Sequence, residues 1–220
     1  MWQKVHPSWF RIWQVKARPS EWFATSKKDN AMMFVEDIQI RKHIDETYKN
    51  LGVAKTVIRK TSLGGEIILF CSKPASLAGK DGKWIINVEK KLSTKLKKDF
   101  KITLKEIKTP ELSAKIMAEY MASQIEWRIP YKRVAKSIVE KTIEKWAEGI
   151  KIMIWGRLNG ADMSRSDKYA KGRIPLQTIR ANIDYHYTTA STKYGILGIK
   201  VRICKWDIYE RRTTTEQISQ

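Results

Sequence analysis

Gly79-Lys80-Asp81-Gly82 follows the apolar run Glu66-Ile67-Ile68-Leu69-Phe70-Cys71 and precedes a basic stretch that starts at Lys83. The apolar run is short and rich in β-prone residues, which predicts a strand. After the second glycine, apolar residues recur at helical spacing from Ile85 to Leu96, which predicts an amphipathic helix. Two glycines three residues apart let the backbone turn sharply and leave no Cβ to hold a phosphate away from the peptide N–H groups. We therefore expect a phosphate contact here, with Lys80 adding a positive charge.

Strand, Gly-x-x-Gly loop and basic helix in this order are typical of a KH RNA-binding module, whose loop holds about four backbone nucleotides. A Gly-x-x-Gly loop alone is weak evidence, because an ordinary turn can carry it. A P-loop nucleotide site is excluded, since no Gly-Lys-Ser/Thr follows at the required spacing. The RNA-binding candidates in this region are Gly79, Lys80, Asp81, Gly82 and Lys83.

The charge of the chain predicts the kind of partner. There are 43 Lys and Arg residues against 23 Asp and Glu, which gives a formal net charge of +20 and a pI near 9.9. An excess of this size favours a polyanion, bound through phosphate neutralisation and counterion release. A membrane surface would also attract the charge, but the sequence has no run of about 18 apolar residues and no signal-type apolar segment at its N-terminus. Nucleic acid is therefore the expected partner, and no membrane is expected.

Cysteine and histidine give no sign of a metal site. Cys71 and Cys204 lie in apolar, strand-like runs, and the three histidines are scattered. Buried, reduced thiols are the default in such runs, and no disulfide framework or metal-ligand spacing is visible. We expect a cytoplasmic protein without a cofactor.

The first half of the chain reads as an arm followed by the KH domain. Residues 1–30 mix basic, aromatic and proline residues without a sustained period, which indicates an N-terminal arm. Residues 31–108 are the expected KH domain. Its elements are a helix from about Glu36 to Lys49, a hairpin ending at Cys71, the loop with its basic helix, and a strand from Phe100 to Lys108.

Residues 109–207 predict a C-terminal α+β domain, and residues 208–220 predict a disordered tail. Thr109-Pro110-Glu111 is typical of a helix start. The buried face of that helix, which ends near Arg128, would carry Leu112, Ile116, Met117, Tyr120, Met121 and Ile125. Pro130 opens a second helix.

Three alternating strands follow the two helices, centred on Ile152, Ile183 and Val201. Between the first two strands, Gly156–Pro175 is long, basic and punctuated by glycine. It is too polar to be a buried connection, so we expect a functional loop.

Basic residues outside the Gly-x-x-Gly loop are further candidate RNA contacts. Lys132, Arg133 and Lys136 cluster on the first turns of the second C-terminal helix, away from its apolar face. A solvated basic face is the ordinary alternative, so the charges alone do not decide. The remaining candidates lie in the arm and in the long loop: Lys4, Arg11, Arg157, Arg165, Lys168, Lys171 and Arg173.

Several collinear motifs resemble the bacterial family of the third protein of the small ribosomal subunit, nearly from end to end. They are Gln3-Lys4-Val5-His6-Pro7, Phe10-Arg11, Gly79-Lys80-Asp81-Gly82, Thr109-Pro110-Glu111-Leu112, Gly156–Ala161, Gly172-Arg173-Ile174-Pro175-Leu176, Ile183-Asp184-Tyr185 and Tyr194–Val201. The resemblance implies a type II KH domain followed by a C-terminal α+β domain of two helices on a mainly antiparallel sheet. It also implies a structural protein of the subunit head that binds ribosomal RNA and two neighbouring small-subunit proteins, beside the channel through which messenger RNA enters.

In that family a basic triplet on the second C-terminal helix faces incoming messenger RNA and contributes to its unwinding. Lys132, Arg133 and Lys136 match the triplet, although Lys132 stands where arginine is commoner. Lysine keeps the point charge and loses the bidentate fork. The resemblance thus implies messenger RNA as a second nucleic-acid partner.

Tryptophan is where the sequence departs from the family. Of the nine tryptophans only Trp22 matches a family tryptophan. Trp155 falls where the family has glycine or serine, and five others fall at family glycines: Trp2, Trp9, Trp13, Trp146 and Trp206. Glycine in arms and turns commonly serves a positive φ or a close backbone approach, which an indole cannot match without strain.

We hypothesise that these six are UGA codons that the source organism reads as glycine, which also puts Trp84 and Trp127 in question. Stacking of tryptophan on RNA bases is the alternative. Stacking explains one or two sites but not the coincidence with glycine positions.

Two other classes of function remain to be distinguished. A free KH protein in RNA processing or regulation would share the first half of the chain, and co-sedimentation with small subunits would separate it from a ribosomal protein. A nucleic-acid enzyme would recruit Asp162, Asp167 and Asp184, but these lie among arginines and lysines without ligand spacing. We expect a protein that is not an enzyme.

Overall fold

A computed structural model of the 220-residue chain describes residues 4–12, 14–49, 51–61, 64–79 and 82–209. The chain forms two compact units. The first runs from Pro19 to Lys108, and the second combines the segment up to Arg18 with the chain from Thr109 onward. Lys80 and Asp81 of the loop lie outside the described residues, as do Trp2, Trp13 and most of the predicted tail.

The first unit contains strand β1 (Ser20–Glu21), helix α1 (Lys27–Thr47), β2 (Val53–Lys60), β3 (Gly64–Cys71), α2 (Pro74–Ala78), α3 (Lys83–Leu96) and β4 (Asp99–Glu106). The sheet order is β1-β2-β3-β4. Strands β2 and β3 form the predicted antiparallel hairpin, while β4 runs parallel to β3. The order of elements from α1 to β4 is that of a type II KH domain.

One hydrophobic core joins both long helices of this unit to the sheet. Ile40 and Ile44 of α1, with Val88 and Leu92 of α3, pack against a cluster that includes Ile67 of β3. The period predicted from Ile85 to Leu96 is therefore confirmed as a packing face. Since the other faces of α3 carry exposed lysines, the helix presents positive charge to solvent.

The segment expected to be an arm, residues 1–30, is divided between the two units. Helix α1 begins at Lys27, well before the predicted Glu36, because the Ser26 hydroxyl accepts a hydrogen bond from the Lys28 N–H at 3.2 Å and caps the helix. The sequence did not predict the first turns of α1 because their apolar residues, Met32 and Phe34 among them, are exposed and do not form one apolar face.

The second unit contains α4 (Ala114–Glu126), α5 (Tyr131–Glu144), β5 (Gly149–Gly156), β6 (Arg165–Gly172), β7 (Ala181–Thr192) and β8 (Gly195–Asp207). The strand order is β6-β5-β8-β7, and every neighbouring pair is antiparallel. Two helices on an antiparallel sheet confirm the predicted α+β fold of the C-terminal part.

Three details of this unit differ from the predictions. The loop expected over Gly156–Pro175 contains strand β6, which was missed because it is a polar edge strand without apolar alternation. Thr109 precedes a short 3₁₀ turn at Pro110–Leu112, and α4 starts only after Ser113. Tyr120 is 41% exposed rather than part of the buried face of α4.

The two faces of the C-terminal sheet are chemically distinct. The inner face carries Ile150, Ile152 and Ile154 of β5 opposite Ile203, Val201 and Ile199 of β8, all fully buried. Both helices lie on this side, since Asp184 accepts the Ala114 N–H of α4 and Asp167 accepts the Tyr131 hydroxyl of α5. The intervening residues of each strand form the outer face.

Helix α5 ends in a Schellman turn. The Trp146 N–H donates to the Ile143 carbonyl at 3.0 Å, the Ala147 N–H donates to the Thr142 carbonyl at 3.4 Å, and Trp146 has φ 64°. This position is usually glycine, and the indole is 91% exposed. Of the described tryptophans only Trp146 has a positive φ. Arg128 takes the same conformation after α4, so a side chain at this position costs strain without preventing the turn.

Both cysteines are buried free thiols, as predicted. Burial raises the pKa of Cys71, and burial together with the nearby Glu148 and Asp207 carboxylates raises the pKa of Cys204 to about 11. Both groups are therefore protonated and inert at neutral pH. Among the described helices, none is both long and apolar enough to cross a membrane.

Candidate nucleic-acid interface

The two glycines of the Gly-x-x-Gly loop adopt conformations that glycine favours. Gly79 has φ 69° and ψ −171°, and Gly82 has φ 70° and ψ 8°. A Cβ on Gly79 would lie 3.1 Å from Cγ of Trp84, whereas a Cβ on Gly82 would have no described heavy atom within 4 Å. The backbone at Gly82 is therefore open to the approach of a ligand.

Helix α3 begins directly after Gly82 and adds a positive end to this loop. Its first turn has no acidic residue, and its N-cap residue, Gly82, has no side chain that could cap the N-terminal N–H groups. Uncapped N–H groups and the helix dipole favour an anion at such an end. Lys83, the first residue of the helix, is exposed at this point.

Lys132, Arg133 and Lys136 are all exposed on the first turns of α5. They point outward because Val134, Ala135 and Ile138 occupy the buried face of the same helix. The first turn has no acidic residue, and none of the three cations forms an ion pair with a described residue. We call these three residues the basic ridge.

Arg165 lies beside the start of the basic ridge. Its guanidinium donates to the Tyr131 hydroxyl at 3.2 Å, and that hydroxyl donates to Asp167 at 2.7 Å. Burial and the bond to Asp167 raise the pKa of Tyr131. Because Tyr131 is the first residue of α5, these bonds fix the helix start against β6 and place a fourth cation beside the basic ridge.

Arg11 does not lie on an RNA-facing surface. It is fully buried, and its guanidinium donates to the carbonyl oxygens of Pro7 (2.9 Å), Ala181 (2.7 Å), Pro175 (3.1 Å), Leu176 (2.9 Å) and Thr178 (2.9 Å). All three nitrogens of the guanidinium donate to carbonyl oxygens inside the protein. The Arg11 guanidinium therefore stabilises the protein interior, and we exclude Arg11 from the candidate RNA contacts.

Arg157 and Arg173 are exposed but already have acidic partners. Arg157 pairs with Asp162 at 3.0 Å, and Arg173 pairs with Glu148 at 3.1 Å and Asp207 at 2.8 Å. These ion pairs order the loops around β6 and reduce the charge available to phosphate. Lys168 and Lys171 are exposed on β6, and Lys4 is exposed before the first turn of the chain.

The three aspartates that a two-metal site would recruit do not form a cluster, and each has a different partner. Asp162 pairs with Arg157, Asp167 accepts from Tyr131, and Asp184 binds Lys16 at 3.1 Å and the Ala114 N–H at 2.9 Å. Within the described ranges, no group of three or more His, Cys, Asp or Glu side chains is placed to hold a metal.

Sequence reasoning missed three cations of the outer face: Lys151, Lys200 and Arg202. Lys151 lies on β5, and the other two lie on β8, where they alternate with buried Ile199, Val201 and Ile203. The signal was present, since the same alternation that predicts the buried face predicts that these cations share the opposite one.

The type II KH arrangement with its Gly-x-x-Gly loop, followed along the chain by a basic α+β domain, defines an RNA-binding protein of the KH class. Residues 39–112 match the KH domain family, and residues 121–203 match the family described as ribosomal protein S3, C-terminal domain. The chain therefore belongs to the S3 family of small ribosomal subunit proteins.

Curated relatives cover almost the whole chain. A small ribosomal subunit protein uS3 from Persephonella marina is 41% identical over 208 residues, which is 94% of this chain and 91% of the relative. Proteins of the same description from Kosmotoga olearia and Caldicellulosiruptor bescii are 39% and 38% identical, over 97% and 99% of this chain and 99% and 98% of the relatives.

Proposed function

We propose that the protein is a structural constituent of the small ribosomal subunit head, where it binds ribosomal RNA and borders the channel through which messenger RNA enters. The observation that supports this most strongly is the match over nearly the full length to proteins named small ribosomal subunit protein uS3. Neighbouring small-subunit proteins of the head and of the channel are its protein partners, and the cytoplasmic ribosome is its location. It has no catalytic step of its own.

The Gly-x-x-Gly loop holds the backbone of ribosomal RNA. Gly79 and Gly82 both have the positive φ that glycine favours, and the space free of described atoms at Gly82 admits a sugar-phosphate chain. The positive end of the α3 dipole and the charge of Lys83 add attraction for phosphate. These contacts are to the backbone, so they give affinity and orientation rather than base specificity.

The basic ridge faces messenger RNA. Lys132 and Lys136 are one turn apart, about 6 Å along the helix axis, and Arg133 lies about 100° around it. This spacing suits one or two adjacent phosphates of a single strand. By holding a strand as it enters, the ridge favours the unpaired state of a messenger hairpin, and unwinding is a collective property of the assembled ribosome.

The experiment replaces Lys132, Arg133 and Lys136 together with alanine in the source ribosome or a reconstituted subunit. Alanine is the better helix former and no buried contact is lost, so stability should change by less than ~0.5 kcal/mol. We expect near-normal assembly but slower translation through a stable downstream hairpin, with unstructured messages little affected.

The matched control is Lys141→Ala with Lys145→Ala, which removes two exposed charges from the other end of the same helix. It should leave the ratio of hairpin to unstructured translation unchanged. An unchanged ratio in the triple variant would refute the messenger-facing assignment, and failure to assemble would make the ridge a ribosomal-RNA contact instead.

A further inference from the structure

The outer face of the C-terminal sheet has an unusual composition. Three residues from each strand share it in register: Ser166, Lys168 and Ala170 of β6; Lys151, Met153 and Trp155 of β5; Gly198, Lys200 and Arg202 of β8; Tyr185, Tyr187 and Thr189 of β7. Four are cations, three are aromatic and none is acidic. Such a face suits an anionic ligand with planar groups.

The cations of this face repel one another without local compensation. Burial lowers the pKa of Lys151, and so do the charges of Arg202, Lys4 and Lys168 nearby. None of the lysines 4, 151, 168 and 200 forms an ion pair with a described residue. Like charges brought together in this way gain most from a polyanion that neutralises several of them at once.

Arg202 provides a second, independent sign of a ligand. Its side chain is only 8% exposed, and its Nε has no hydrogen-bond partner among the described atoms. The one hydrogen bond that its side chain makes to a described residue goes to the Met153 sulfur at 3.7 Å, a weak acceptor, and its guanidinium lies 5.7 Å from the Tyr185 ring centroid. An unsatisfied buried donor is costly, and although the Nε itself has almost no exposed surface, the terminal N–H groups of the same guanidinium can meet an anion on this face.

Tyr187 offers an aromatic surface in the middle of these charges. It is 47% exposed, and the Lys200 ammonium lies 6.0 Å from its ring centroid. Trp155 stacks beside it with centroids 5.6 Å apart. Glycine in place of Trp155 would free the covered side of the Tyr187 ring, so Tyr187 offers a ring face with either residue at position 155.

We propose that the outer face of β6-β5-β8-β7 binds single-stranded RNA, with Lys151, Lys168 and Lys200 on phosphates and one base stacked on Tyr187. This is a separate contact from the Gly-x-x-Gly loop and the basic ridge, and the choice of RNA as the polyanion rests on the function proposed above. An acidic protein segment would match the charges but would leave the Tyr187 ring unused, whereas every nucleic-acid base has a face to stack on it.

The test is site-resolved photo-crosslinking of the full-length protein to a 12-nucleotide single-stranded RNA that contains 4-thiouridine, with crosslinked peptides identified by mass spectrometry. We expect crosslinks on the β7 peptide that contains Tyr187, in addition to any on the Gly-x-x-Gly loop. Tyr187→Phe keeps the ring and should keep the crosslink. Changing Lys151, Lys168 and Lys200 to glutamine removes three phosphate contacts, and at ~0.1 M salt it should weaken this site about 100-fold.

Lys145→Gln at the end of α5 is the matched control and should leave the Tyr187 crosslink unchanged, because that helix lies on the inner side of the sheet. The proposal is overturned if the loop crosslinks while Tyr187 does not, a result that leaves the ribosomal function intact. It is also overturned if the triple glutamine variant crosslinks as well as the unchanged chain. Equal displacement by polyglutamate and by polyuridine, compared at equal charge, would show that the face binds by charge alone and would overturn the stacking of a base on Tyr187.

Discussion

Replacing Arg11 with methionine tests whether this residue serves the interior or RNA. Methionine has similar length, so the change removes five hydrogen bonds of 2.7–3.1 Å and leaves five carbonyl groups without that donor. Each such bond contributes about 1 kcal/mol net, and some of the carbonyls regain water. We therefore expect a loss of about 3–5 kcal/mol from the unit that contains α4 to β8, a large part of its total stability.

The assay is thermal and urea unfolding of the purified chain, followed by RNA binding at several salt concentrations. A loss of this size lowers the melting temperature by roughly 10 °C. The slope of log K against log salt should not change, because Arg11 contacts no phosphate in our account. Lys4→Met is the matched control: the residue is exposed, so stability should hold while the slope falls by about one unit. Unchanged stability of Arg11→Met with a reduced slope would make Arg11 a phosphate ligand and refute the reasoning.

Two further predictions concern the acid side of the stability profile and the identity of the tryptophans. Burial alone would raise the pKa of Asp184, but Lys16, Lys205 and the Ala114 N–H outweigh it and lower the pKa from 3.8 to about 2. The carboxylate therefore contributes about 2 kcal/mol above pH 5, and this contribution is lost as the pH falls through about 2. In urea unfolding at pH 6, the free energy of unfolding of Asp184→Asn should be about 2 kcal/mol lower than that of the unchanged chain. At pH 2.5 the difference should be less than half as large. An equal difference at the two pH values would contradict the lowered pKa. Peptide mass spectrometry of the native protein should find glycine at positions 2, 9, 13, 146, 155 and 206, and indole there would end the recoding hypothesis.

The elements that sequence could predict are those whose buried faces follow one period. Ile150, Ile152 and Ile154 predict β5 because one sheet face must exclude water, and Val88 with Leu92 predicts the packing face of α3 in the same way. Strand β6 has no such pattern. Its backbone pairs with β5 while its side chains stay largely exposed, so only the tertiary partner reveals it.

The sequence could predict the Gly-x-x-Gly loop, because there the backbone conformation and the charge depend on residues that are neighbours in the chain. Gly79 and Gly82 need positive φ, and a pair of glycines signals that need. Arg11 shows the limit, because a basic residue in a polar arm looks like a phosphate contact until the carbonyl groups that surround it, up to Ala181 in sequence, are brought together by the fold. For Arg202 the alternation of β8 predicts the outer face, but only the folded structure shows that the residue is buried there, at 8% exposure.

The central claim is that the Gly-x-x-Gly loop holds ribosomal RNA in the small subunit, and incorporation of a single loop variant tests it most directly. Gly82→Asp and Gly82→Asn place side chains of equal size in open space, and both residues tolerate a left-handed backbone, so the pair differs mainly by one negative charge. Each purified full-length chain is added to small subunits reconstituted without this protein, and the fraction that co-sediments is measured. We predict that the unchanged chain and Gly82→Asn are incorporated while Gly82→Asp is incorporated at least about tenfold less at ~0.1 M salt. Equal incorporation of Gly82→Asp and Gly82→Asn would contradict the claim, and failure of the unchanged chain to co-sediment would refute the ribosomal function itself.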